Sequence, residues 1–178
     1  MDIRQVVTGH DESGRAIFVA DHAVHAFEPT LTPGSSFHLM WGSDGAMTYP
    51  SDGSEPGATG YFPPVGGYRF GFFTLPPASH VGVPPLDIGA ALAEMEARLP
   101  GMIGHMEPAD PGMHTTDTTD FEIVIAGEVI LELDDGAERL LRVGDTVVQN
   151  GTRHRWRNPG EVPATLAVFI VGAHRATG

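Results

Sequence analysis

Apolar and polar positions alternate in short bursts through the second half of the chain. Phe121 to Ile125, Val129 to Leu133, Arg139 to Val143, Thr146 to Val148 and Ala164 to Val171 each read as a strand. Turn residues separate them. Asp134-Asp135-Gly136 predicts a hairpin turn with Gly136 at positive φ, and Gly144-Asp145 predicts another. Strands at this spacing predict a sandwich or barrel. In the first half, Ile3, Val6 and Val7, a turn at residues 10–14, and Ala16 to Ala20 predict a β-hairpin. Phe37 to Trp41 predicts a short strand, and Tyr68 to Leu75 a longer one stopped by Pro76-Pro77. Residues 43–67 between them are rich in Pro and Gly steps and predict a long loop, the length of a lid or binding loop. One helix is expected. Ile88, Leu92, Met95 and Leu99 recur at helical spacing, Asp87 can cap it, and Pro100-Gly101 ends it. A single domain is expected overall, with residues 1–100 packing on a core of residues 101–178.

Composition narrows the function classes. The chain has 178 residues, of which 41% are hydrophobic, enough to bury a core without staples. Its 23 Gly and 15 Pro suit a turn-rich β-protein. Ten basic against 23 acidic residues give a net charge of -13, which argues against nucleic acid and against an anionic membrane surface as partners. No apolar stretch approaches the length of a membrane span. The opening Met1-Asp2-Ile3-Arg4 lacks the pattern of a secretory leader, so the expected setting is cytoplasmic. Without Cys, disulfides, thiolate zinc sites and cysteine nucleophiles are excluded.

Three residues in the β-rich half could carry chemistry: His114, Asp120 and His154. Two imidazoles and a carboxylate can hold a divalent metal (Fe, Mn, Zn or Ni) on one face and leave positions open for substrate. In linear spacing alone, the same residues are equally ordinary polar groups. Their context adds weight. His114 is followed by Thr116, then Asp120, then, after six intervening residues, Gly127, and Gly144 leads to Gly151, His154 and Asn158. This resembles the two signature motifs of the cupin superfamily. The first runs His-x-His, a short spacer, Glu, six residues, Gly. The second runs Gly, then Pro-x-Gly-x-x-His, three residues, Asn. Thr116 stands at the second His place, Asp120 at the Glu place and Gln149 at the Pro place. The pattern is similar to small cupins of some secondary-metabolite pathways.

The resemblance implies an all-β, cupin-type jelly-roll β-sandwich or barrel with an N-terminal β extension and one short helix. It implies a divalent metal on His114, Asp120 and His154 in the barrel mouth, with these three as catalytic residues. The implied function is a small-molecule oxidoreductase acting on a carbonyl, enol or polyketide-like substrate. The alternatives are a metal-free or Lewis-acid dehydratase, decarboxylase or isomerase, and a non-catalytic ligand binder. Family habit and the N-terminal hairpin imply a homodimer. Trp156, two residues from His154, should share its face, while Arg153 and Arg155 should point outward. Thr116, Trp156, Tyr68, Phe70 and Trp41 are the expected substrate-binding residues. His22, His25, His80 and His105 are expected to be structural or surface groups.

Overall fold

The computed structural model describes residues 2–80, 82 and 85–176. Strands β1 (Ile3–His10) and β2 (Ala16–Val24) form the N-terminal hairpin, followed by β3 (Ser36–Ser43) and β4 (Tyr68–Leu75). Two helices come next, α1 (Ile88–Arg98) and α2 (Met102–His105). The rest is strand: β5 (Thr118–Ala126), β6 (Glu128–Glu132), β7 (Glu138–Arg142), β8 (Thr146–Asn150), β9 (Arg155–Arg157) and β10 (Ala164–Gly172). The expected strands all form; α2 and β9 are too short to leave a readable period in the sequence.

Three antiparallel sheets result: β1-β2, β3-β4-β10-β5-β8 and β7-β6-β9. The two larger ones close face to face as the jelly roll. Their shared core is Leu75, Val124, Val129, Ala164 and Leu166, with Phe73, Leu141, Trp156 and Val168 packed against it. On β5 the alternation is clean. Thr118, Asp120, Glu122 and Val124 are buried, while Phe121, Ile123 and Ile125 are exposed. The turn from β5 to β6 needs Gly127, whose φ is +66° and where a Cβ would come within 2.8 Å of Ala164 Cα.

A second cluster of Phe27, Phe37, Met95 and Leu99, joined by Tyr61 and Phe73, seats the helices against the barrel. Asp87 caps α1, accepting from the Ala90 N–H at 2.9 Å. Of the expected apolar stripe, Met95 and Leu99 are buried in this cluster, whereas Ile88 and Leu92 are exposed. Helix α2 continues from Gly101, at φ +80°. The hairpin β1-β2 stands apart from both barrel sheets and is tied down at few points. Gln5 donates to the Met40 carbonyl, and the His10 N–H donates to the Ser51 carbonyl. Loop 43–67 has no regular structure apart from a bridge between Val65 and Gly172. All ten basic side chains are arginines. Arg153, Arg155 and Arg157 point outward and pair in a ladder with Glu107, Asp110, Asp134, Glu132 and Glu138. Among the described residues no helix is long and apolar enough to cross a membrane.

Candidate functional site

His114 and His154 face each other across a single antiparallel bridge. Each backbone N–H donates to the other's carbonyl at 3.0 Å. Residues so paired project their side chains to the same side of the ladder, and the imidazole centroids lie 4.2 Å apart. Both rings are fixed by the backbone two residues upstream. His114 Nδ1 lies 3.0 Å from the Gly112 carbonyl, and His154 Nδ1 lies 2.9 Å from the Thr152 carbonyl. A carbonyl can only accept, so each Nδ1 carries the hydrogen and each Nε2 keeps a lone pair. Burial lowers the pKa of His114; burial, together with charge repulsion from His114, brings that of His154 down to about 4. Both are therefore neutral at neutral pH. Trp156 meets the His154 ring edge-on at 6.2 Å, on the same face, and its indole belongs to the barrel core.

His105 reaches this place too, although the sequence suggests a structural or surface role. Its Nδ1 donates to the Thr115 carbonyl at 3.0 Å, its ring packs on Phe62 at 4.8 Å, and His114 feels its charge. The short helix α2, invisible in the sequence pattern, carries it there.

The acidic member behaves differently. Asp120 is buried on the inner face of β5, opposite Gln149 of β8 and Ile170 of β10. Thr118 hydrogen-bonds it, and the hydroxyl of Thr118 lies 2.7 Å from that of Thr116. Thr116 is thus a buried hydroxyl in a chain leading to Asp120. Burial raises the Asp120 carboxyl to about 6. Among the described residues, no three His, Asp or Glu side chains converge where one metal ion could be held. The structure brings His114 to His154 but does not add Asp120 to the pair. The donor set in this arrangement does not fit a centre of two imidazoles and one carboxylate.

A cavity of about 480 Å³ is lined in part by Ile170, the β10 partner of Asp120, while Asp120, Glu122, His114 and His154 are not among its walls. Phe37, Tyr61, Phe73, Val168 and Ile170 are among its walls, and Trp41 and Phe70 border it. Loop 43–67 roofs it through Glu55, Gly57, Ala58 and Gly60, and the end of α1 closes one side through Ala97 and Arg98. Arg69 staples the roof to the sheet, pairing with Asp44 and donating to the carbonyls of Ser43 at 2.8 Å and Gly60 at 2.9 Å. Tyr68, Thr116 and Trp156 lie outside its lining. Tyr68 packs instead on Phe169 at 5.8 Å, at the start of β4 and beyond the residues that border the cavity.

Two further residues carry chemistry that the motif alone does not reveal. Glu122 is buried two positions beyond Asp120, hence on the same face of β5. Tyr61, in the roof loop, is close enough to feel both carboxylates, and burial followed by those charges raises its pKa. The spacing of Glu122 from Asp120 was a usable signal; no pattern marks Tyr61.

With fold and site in place, comparison with known proteins is informative. The Cupin_2 family model (cupin domain) matches residues 102–171. That segment of the chain is similar to a cupin domain. Oryzines biosynthesis cluster protein J of Aspergillus oryzae is 46% identical over 61 residues, 34% of this chain and 34% of that protein. Phomopsin biosynthesis cluster protein C' of Diaporthe leptostromiformis is 43% identical over 58 residues, 33% of this chain and 31% of that protein. The cupin-domain-containing oxidoreductase srdB of Neurospora crassa is 27% identical over 167 residues, 93% of this chain and 71% of that protein. The matches to the first two span about a third of the length of those relatives.

Proposed function

We propose that this protein is a cupin-like small-molecule enzyme of a secondary-metabolite pathway. Its reaction is proton transfer on a planar, largely apolar carbonyl or enol compound, of the dehydratase, decarboxylase or isomerase kind. One observation carries the reading: the half-buried imidazole of His114 and the buried one of His154 lie 4.2 Å apart, tilted by 49°, with both Nδ1 hydrogens fixed on backbone carbonyls. Each Nε2 is then a preset base, already neutral at physiological pH and paying nothing for tautomer choice. Trp156 beside His154 supports a flat apolar substrate, and the names of the relatives support the biosynthetic setting.

The test needs no known substrate. Aryl ketones and β-dicarbonyl compounds incubated with the enzyme in D2O should gain deuterium next to the carbonyl, with or without a chelator. His154→Ala should slow the exchange by about 100-fold or more. Absence of exchange across the panel, or exchange indifferent to His154, defeats the reading. A second reading, an oxidoreductase, is favoured by the names of relatives such as srdB. It calls for a product that has lost two hydrogens or gained oxygen, which mass spectrometry separates from isomerisation or loss of water or CO2.

The proposal includes a homodimer, with the exposed apolar face of the larger sheet and the loosely held hairpin as the surfaces to be covered. Sedimentation at micromolar concentration tests it.

A further inference from the structure

The aromatic cavity is built by a different part of the chain from the histidine pair. Its walls come from β3, β4, the roof loop and the end of α1. Of the described residues that line it, only Val168 and Ile170 fall within the segment 102–171 that resembles a cupin domain. Three rings fix its shape. Phe73 stacks on Phe37 at 4.8 Å, and Tyr61 meets Phe37 edge-on at 6.0 Å and 88°. Phe37 is buried in the cluster under the helices, and the Tyr61 N–H donates to the Pro100 carbonyl at 2.8 Å. Sheet, roof and helix end are therefore tied together at this corner. The volume of about 480 Å³ falls within the ~300–1,000 Å³ of small-molecule sites, and rings set at right angles favour a planar guest.

Charge narrows the guest further. Two guanidinium groups line the space. Arg69 is fully engaged, by Asp44 and by the carbonyls of Ser43, Gly60 and Tyr68. Arg98 is not. It is exposed in the last turn of α1, with its guanidinium carbon 4.7 Å from the centre of the Phe27 ring. Among the described residues it has no hydrogen-bond or ion-pair partner; it acts on Glu94 only through its charge, and that carboxylate already accepts from the Thr30 N–H at 2.9 Å. A guanidinium resting on a ring face keeps the N–H groups along its edge for a carboxylate in its own plane. Glu55, on the roof, adds one carboxylate to the lining and disfavours a guest with a second negative charge.

We infer that the aromatic cavity is a second ligand site, separate from the histidine pair, which takes a planar aromatic monocarboxylate. The rings of the guest lie against Phe37, Phe73 and Tyr61, and its carboxylate pairs with Arg98. Neither His114 nor His154 lines this space, so binding here breaks no bond and goes beyond the histidine reading.

Calorimetric titration of the whole chain with β-naphthoate tests the site. Wild type should bind one equivalent, and the neutral methyl ester should bind about fivefold more weakly or worse. Arg98→Gln should bring the acid down to the level of the ester and leave the ester unchanged. Arg98 is exposed, so its replacement removes no core packing. Methyl NMR locates the guest: the signals of Val168 and Ile170, on the cavity wall, should move as β-naphthoate is added. Failure of β-naphthoate to bind, equal affinity in wild type and Arg98→Gln, or binding that leaves both methyl signals in place each overturns the assignment. Deuterium exchange reads the histidine pair and this titration does not, so the two proposals can fail separately.

Discussion

The two faces of the five-stranded sheet invert the usual rule for a half-buried sheet. On the outer face, Phe70, Phe169, Phe121 and Val148 register side by side, 38%, 40%, 48% and 56% exposed. On the inner face the matching rows hold Arg69, Asp120 and Gln149, then Glu122. Apolar area left in water and carboxylates taken out of it both work against folding. Covering the outer face with another apolar surface would relieve the first cost, and protonating the buried carboxylates would relieve the second. Stability is set by both faces, and the two respond to different probes.

The largest expected effect bears on the chemistry of the interior. His154→Ala should lower proton exchange or turnover by about 100-fold or more, while Phe169→Ala at the outer surface should change it little. Next in size is packing. Leu166 and Phe169 sit on one strand, three residues apart and on opposite faces. Leu166→Ala should cost about 2–5 kcal/mol by leaving a core cavity. Phe169→Ala should cost the monomer well under that in chemical denaturation, and equal losses would break the contrast.

A third measurement uses pH. Glu122 binds its proton more tightly folded than unfolded, about 8 against an ordinary 4.5. Stability from this group is therefore complete below about pH 4.5 and is lost as pH rises through about 8. Glu122→Gln should melt like wild type at pH 5 and several degrees higher at pH 9. An unchanged difference across that range would show that the carboxyl is not held protonated. Phe121→Lys should shift a dimer to monomer in sedimentation with the melting temperature of the dissociated chain barely altered. The smallest effect is expected in the outward arginine ladder, where Arg153→Met should cost about 1 kcal/mol or less, because these pairs remain in contact with water.

Much of this was legible in the chain. Turn residues such as Asp134-Asp135-Gly136 delimit the strands, and the Gly, His and Asn positions of the two motifs are fixed by local backbone needs. Gly127 shows this directly, since any side chain there meets Ala164. His114 and His154 are forty residues apart, yet a two-residue bridge joins them, a pairing that only the motif resemblance foreshadows. The face of β5 was not legible. Phe121, Ile123 and Ile125 look like the buried set by hydrophobicity, and the chain buries the alternate set instead. Periodicity reports that a strand has two faces; what lies against each face decides which goes inside. The same limit applies to Tyr68, which shares a strand with Phe70 but packs away from the cavity.

The stitch between the hairpin and residues 51–53 ties two otherwise separate parts together. Besides the bond from His10, Gly9 lies so close to the Asp52 backbone that a Cβ would sit 2.5 Å away, and Gly53 abuts Val19. These contacts fasten the hairpin to the same loop that lines the cavity a few residues further on, through Glu55, Gly57 and Ala58, so two elements far apart in the chain share one anchor.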